Sequence, residues 1–487
     1  MSHYGDDNLI RSYNLYNNAL RNSYWSYRKS LRLPNFLLEY FTASRELGAL
    51  MLALTTATAY LSAGSFIGGP GTAFRLGLGW VLLAMTQLPT MWLVLGVIGK
   101  KIAIVARRIK AITLVDILRE RYENNVLVVF MSSIAIVVFM IAAITAQAIE
   151  GATIYETLTG LRYDVSLTIF FITVVVYTVI GGYRAVAYTD LLQEAVMTIG
   201  AIALVTYPII SAGGLENIMR KLIEININYV TPYGATGGLN PLWVTSFFVL
   251  VGIGVIGLPY VSVKALTYRD SKSLHNGILI GTIVSALLLL CMHLAGVIAA
   301  YYVPEITRGD LAIPALTVKA VPPVLAGIIL AAPLSAILTT VDSQLILVSS
   351  AVVKDIYVNL VNPKASEKTL RRLSFLTTLI IGIIALLLSY RPPDLLVWLN
   401  LYAIGGLESV FLVPLTLGLF WSRGNKYGAL SSMLVGLVSF IAFYRVFGTN
   451  MYNLHPVVYS ITLSLITYII VSMITRKPSE EVIKKFF

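Results

Sequence analysis

Apolar residues gather into twelve long runs, at 47–69, 79–99, 125–150, 165–182, 188–212, 242–263, 275–302, 323–350, 371–390, 394–421, 427–447 and 456–475. At 1.5 Å per residue, about 20 apolar residues cross the ~30 Å hydrocarbon layer. The pattern therefore predicts an all-α polytopic membrane protein of about twelve spans. It divides the chain into a polar, basic, Tyr- and Asn-rich segment at 1–46, a membrane domain at 47–475 and a short tail at 476–487. No apolar stretch precedes Leu47, so the expectation is that no cleavable signal is present.

The first run is irregular. Between Thr58 and Gly71 it reads T-A-Y-L-S-A-G-S-F-I-G-G-P-G. Glycine and proline loosen the backbone ladder there, and Thr58, Ser62 and Ser65 supply hydroxyls to the freed groups. Broken helices at mid-membrane depth hold substrate and ion in secondary transporters. A close-packing surface of small residues is the competing reading. Gly252, Gly254, Gly257 and Pro259 loosen the sixth run in the same way.

Composition supports the membrane class, with 57% hydrophobic residues, 12% charged residues and a mean hydropathy of +0.79. A net charge of +12 invites a nucleic-acid reading, but the distribution argues against it. With twelve spans, 28 of the 36 Lys and Arg fall on the side that also holds both termini. The bias of basic loops toward the cytoplasm places both termini inside a multi-pass plasma-membrane protein facing the bilayer lipids. Cys291 is the single cysteine, so the chain forms no internal disulfide and no thiolate metal site. Four scattered histidines lack ligand spacing, and no Walker loop or nucleophile elbow is present. An enzyme and an ATP-driven pump are both poorly supported, and no cofactor or obligate protein partner is implied.

Three polar stretches add detail. Gly99–Tyr122 is the most basic connection, and its near-helical apolar spacing predicts an interfacial amphipathic helix with Thr113 capping Leu114–Arg121. A plain loop is the competitor. In the third run Gln147 and Glu150 are three apart and share a face near its outer end, pointing into the bundle or into the headgroup layer. Gly181–Gln193 reads as a loop between the fourth and fifth runs. Thr189 or Asp190 would cap the next helix, and Arg184 and Asp190 would form a gating ion pair or a static cap.

That loop, with F-I-G-G-P-G at Phe66–Gly71, AAPLSAILTTVDSQLILVSSAVVKDIY at Ala331–Tyr357 and WLNLYAIGGLESVF at Trp398–Phe411, resembles the sodium/solute symporter family from about Tyr40 to the C-terminus. Members usually carry a further membrane helix before the first run, where this chain is polar. The resemblance implies a core of two inverted five-helix repeats (LeuT-like), here about 47–212 and 242–421, with extra helices at 427–475. It implies alternating-access symport of a small organic anion with Na⁺. An amino acid or short monocarboxylate, or proton coupling, remains open as the alternative. A sensor built on the same fold is a weaker one, because only about a dozen residues follow the last run.

A sodium ion needs five or six hard oxygen ligands. Ala336, Thr339 and Thr340 share one face of the eighth run, and Thr58 and Leu61 lie three apart beside the first break. By resemblance, Thr58, Leu61 and Ala336 offer carbonyls, and Thr339 and Thr340 hydroxyls. The competing reading has both threonines bonding back to their own helix. Asp342 would line the ion's exit path. For the substrate, N–H groups from Ser62, Ala63, Gly64 and Ser65 would meet a carboxylate. Val251 and Val255 would form an apolar wall, and Gln147 and Asn400 would supply hydrogen bonds. His293 is read as satisfied within the bundle, and Glu408 as structural.

Overall fold

The computed structural model describes residues 36–62, 64–391 and 396–487. Among these, nine helices are long and apolar enough to span a membrane: α4 (Leu78–Ile109), α6 (Val126–Thr159), α8 (Val186–Ser211), α12 (Ser271–Tyr302), α14 (Leu325–Val361), α15 (Glu367–Ser389), α16 (Leu396–Phe420), α17 (Lys426–Phe447) and α18 (Pro456–Ile474). Two bent pairs join them: α2 (Ala49–Tyr60) with α3 (Gly64–Leu76) at 68°, and α10 (Pro241–Gly257) with α11 (Pro259–Leu266) at 54°. A shorter apolar helix, α7, covers Tyr163–Val176.

α1 (Phe36–Thr42) marks what we call the N-terminal face. Its Phe36 ring lies 6.5 Å from Phe375 near the start of α15. Leu47 and Arg269, just before α12, bond through their backbones at 3.0 Å. The short C-terminal helix α19 (Glu480–Phe486) lies on the same face. It accepts from Arg108 at the Lys485 carbonyl (2.8 Å), while neighbouring Arg107 donates to Tyr268. Both described ends of the chain therefore share one face. The segment expected to be a polar tail ends in packed helix, because Phe36, Tyr40 and Phe41 are apolar enough to bury.

The helical assignment runs unbroken from Tyr163 to Ser211. Straight, 49 residues would reach about 73 Å, more than twice the hydrocarbon layer. The contacts show two limbs instead. The Tyr163 hydroxyl donates to Ser389 O (2.7 Å) and Tyr302 donates to Pro208 O (2.8 Å), both at the far face. Val179 O accepts from Tyr40 at the N-terminal face. The expected loop at Gly181–Gln193 is thus helical, and its caps are corrected. Thr189 bonds back to Val186 O, and Asp190 is a buried side chain within α8. The Arg184 side chain lies outside the described residues.

The glycines of the first span loosen it without ending it. Gly68–Gly71 does not terminate the first span. Pro70 sits in the first turn of the helical segment Gly69–Leu76, where its missing N–H costs nothing. The break itself falls earlier, with Leu61 as the C-cap of α2. In the sixth span Leu258 is extended and Pro259 opens the second half. α6 runs on to Thr159, so Gln147 and Glu150 lie inside the bundle and Glu150 is not in a headgroup layer.

α5 (Leu114–Arg121) carries the expected cap. The Thr113 hydroxyl accepts from Asp116 N (3.0 Å), and the Asp116 carboxylate accepts from Ile112 N (3.0 Å) and Thr113 N (3.4 Å). Arg121, at the end of α5, donates to Gly418 O (2.6 Å) and Trp421 O (3.0 Å), which satisfies carbonyls at the C-terminus of α16.

Candidate ion and substrate site

The α2 break meets α14 near mid-span. Thr58, Leu61, Ala336, Thr339 and Thr340 all show 0% exposure. The Thr340 hydroxyl oxygen lies 2.8 Å from Ala336 O and 3.2 Å from Thr58 O, and Thr339 Oγ1 lies 3.0 Å from Ala336 O. Leu61, with ψ 79°, turns its carbonyl away from the helix direction. Both threonines do bond back to their own helix, but this does not exclude ligation. Each hydroxyl has one proton and two lone pairs, and a carbonyl has two lone pairs. Thr340 shares one proton between Ala336 O and Thr58 O, so its own lone pairs and those of the two carbonyls remain open to a cation. Oxygens around a hard cation held at ~2.4 Å are themselves about 3.4 Å apart, close to the spacing seen.

Toward the far face a cavity opens beside the break, lined by residues of the first, second, sixth, seventh and tenth apolar runs. Of the residues expected at the substrate, Ser62, Gly64, Ser65, Val251 and Asn400 line it. Gln147 and Val255 are buried but do not line it, and Ala63 lies outside the described residues. The expected free N–H groups are already engaged: Gly64 N donates to Ser62 Oγ (3.1 Å), and Ser65 N and Phe66 N donate to Ser62 O. Ser62 thus caps α3, and Asn400 Nδ2 reaches the same hydroxyl at 3.3 Å. An added Cβ at Gly64 would stand 3.1 Å from that amide, so the glycine makes the close approach possible.

Sequence reasoning placed five of the fifteen lining residues and missed ten. Tyr60, Trp80, Gln87, Phe247 and His293 also line the cavity. Trp80 Nε1 is buried and has no partner among the described residues, so the lining holds an unused donor. His293 Nδ1 lies 2.8 Å from Leu289 O, which can only accept, so Nδ1 carries the proton. Its Nε2 stands against Gly69, where an added Cβ would come within 2.4 Å, and is left as an acceptor on the cavity wall. None of the described lining residues is charged. An anion held here would be met by neutral N–H and O–H donors against an aromatic and aliphatic wall.

On the other side of the Thr58–Thr340 cluster a second, smaller cavity lies toward the N-terminal face. Phe41, Ile112 and Thr113 line it at that end, and Lys264, Ser343 and Tyr183 are among its other walls. Asp190 accepts from Thr55 at 2.5 Å on this side, and Asp342 is fully buried beside Ser343.

A model of the sodium:solute symporter family matches residues 40–436. The chain is 47% identical to the sodium/pantothenate symporter of Escherichia coli, over 89% of this chain and 90% of the relative. It is 45% identical to the sodium/pantothenate symporter of Haemophilus influenzae, over 90% of each. A solved structure of a Na⁺-coupled sialic acid symporter, substrate-bound and outward-open, superposes with a TM-score of 0.82 at 17% identity, covering 98% of this chain and 100% of the other. At that identity the likeness speaks for the fold, which is the LeuT-like arrangement expected from the sequence.

Proposed function

The chain belongs to the sodium:solute symporter family, and from that premise we propose that it imports pantothenate, driven by Na⁺, through the cavity at the α2–α3 break. Pantothenate is a carboxylate that also carries hydroxyls, an amide and a gem-dimethyl group. The cavity offers the matching chemistry: Trp80, Asn400, Gln87 and serine hydroxyls as donors, His293 Nε2 as an acceptor for a hydroxyl, and Phe247, Val251, Leu401 and Ile404 as apolar wall. The observation that carries the substrate reading is the unused Trp80 N–H in an uncharged, partly apolar pocket.

Sodium binds, in this reading, to Thr58, Leu61, Ala336, Thr339 and Thr340. Ion and substrate share the α2 break, so ordering it for one ligand favours the other, and the coupling is reciprocal. The N-terminal face is cytoplasmic on the basic-loop bias, with Asp190 and Asp342 along the ion's way out. One Na⁺ entering down about 100 mV supplies roughly 2.3 kcal/mol, enough for roughly 50-fold accumulation.

The test is uptake of labelled pantothenate into proteoliposomes with and without an inward Na⁺ gradient. Gradient-driven accumulation supports ion and substrate together. Uptake of proline or lactate but not pantothenate would replace the substrate and keep the mechanism, and a proton gradient that suffices alone would replace the ion. Protease added outside intact cells should leave tags at both termini intact, and cleavage would reverse the orientation.

A further inference from the structure

Lys264 ends the sixth apolar run, and by position it counts among the loop charges. The structure buries it completely between the helices. Its ammonium donates to Thr55 Oγ1 at 3.0 Å and to Ser343 Oγ at 3.1 Å, and stands 4.7 Å from the centre of the Tyr183 ring. The Asp190 carboxylate faces it and accepts the Thr55 proton at 2.5 Å. The protons are consistent: ammonium to hydroxyl, hydroxyl to carboxylate. Hydroxyls from α2 and α14 thus hold one monovalent positive charge, and the α8 carboxylate is tied to it through Thr55.

The place is significant. Thr55 lies three residues from Thr58 on α2, and Ser343 three residues from Thr340 on α14. Both steps run about one helical turn, ~5 Å, from the sodium cluster and in the direction of the N-terminal face. Two hydroxyls and a carboxylate are hard oxygen donors of the kind that hold a free metal cation. Here a tethered cation already occupies them. A buried carboxylate needs a counter-charge, and Lys264 supplies it to Asp190 from within the chain. A sodium ion entering the same cage would meet the ammonium at contact distance and be repelled in a low-dielectric setting.

We propose that the Lys264 ammonium is a built-in cation filling a second cation cage beside the sodium site, and that it thereby holds this symporter to one sodium per transport cycle. The proposal rests on the sodium assignment made above. The small cavity on the N-terminal side borders Lys264 and Ser343, so removing the lysine side chain joins the space it leaves to that cavity beside the Thr55–Asp190 pair.

Sodium binding to the purified chain, counted with ²²Na⁺ by equilibrium dialysis without substrate, tests this independently of what is carried. Wild type should bind one ion per chain with a simple hyperbola. Lys264→Met should bind two, and Lys264→Met with Asp190→Asn should return to one. Lys264→Arg, which keeps the charge, should stay at one. A thermal melt establishes that each variant is folded. Lys264→Ala, which leaves the two hydroxyls free, carries the same expectation should the methionine variant fail that melt. Two ions on wild type, or one on a folded Lys264→Met, overturns the proposal. No sodium on wild type removes the sodium site itself, and this inference falls with it.

Discussion

The Thr340 hydroxyl oxygen lies 3.2 Å from the Thr58 carbonyl oxygen, across 282 positions of sequence. This contact joins the broken first span to the eighth, and it brings together residues that the sequence put at i, i+3 and i+4 on one helix with a carbonyl beside a break on another. Thr340→Val keeps the shape and removes the oxygen. With one of about five ligands gone, half-saturation by sodium should rise about ten-fold or more, equivalent to about 1.4 kcal/mol. Protein yield should fall less than sodium affinity, because the shorter of the two lost bonds, to Ala336 O, is internal to α14 and the one to Thr58 O is long at 3.2 Å. Sodium-dependent uptake curves check this, and a superimposable curve would remove Thr340 from the ion site.

Trp80 separates substrate from ion. Trp80→Phe keeps an aromatic wall and removes the N–H that has no partner among the described residues. A neutral hydrogen bond is worth about 1 kcal/mol, so the KM for pantothenate should rise about five-fold while sodium half-saturation stays as in wild type. An unchanged KM would mean that the indole nitrogen does not face the substrate.

These two positions also show what a sequence discloses. The α2 break was legible because hydroxyls and glycines interrupt an otherwise apolar run, and the α5 cap because Thr113 precedes a helical pattern. Trp80 was not legible, since an aromatic at the start of a span reads equally as a membrane-interface anchor. Lys264 was hidden for a similar reason. A lysine just past an apolar run reads as a loop charge, and only Thr55 and Ser343, 209 and 79 residues away, bury it. The Gly181–Gly182 pair suggested a loop, whereas the reversal there is made within a continuous helical assignment. His293 was read as satisfied in the bundle, and its Nδ1 bond to Leu289 O agrees, while its place on the cavity wall was not foreseen.

Packing between the halves of the site gives a third test. A Cβ added at Gly296 on α12 would stand 2.1 Å from Pro70 O and 2.7 Å from Pro70 C. Both are backbone atoms at the start of the helix after the break, so they cannot swing aside. Gly296→Ala should therefore force α12 from α3 and cost about 1–3 kcal/mol. Gly48→Ala is the control, because nothing lies within 4 Å of its added carbon. A clear drop in melting temperature is expected for Gly296→Ala and almost none for Gly48→Ala. Equal melts would show that the two helices yield more easily than their backbone contact implies.

The tie between α5 and the end of α14 gives a stability test set by pH. The Lys354 ammonium pairs with Asp116 at 2.8 Å, Asn359 donates to the same carboxylate at 2.9 Å, and Thr113 donates to Asp355. Burial opposes charge on Asp116, but the Lys354 ammonium, the Ile112 N–H and Asn359 together outweigh it and hold the carboxyl below its ordinary range. A native pKa below the unfolded one, about 3.9, gives stability that is fully present above that value and is lost as pH falls through the native pKa. Wild type should therefore keep this contribution from neutral pH down to about pH 5 and lose it only below about pH 4. Asp116→Asn leaves the buried lysine without its counter-charge and should cost about 3–5 kcal/mol at pH 7. The melting-temperature gap between the two proteins should then narrow below about pH 4. A gap that stays constant into that acidic range would show that Asp116 holds α5 through its backbone hydrogen bonds and not through its charge.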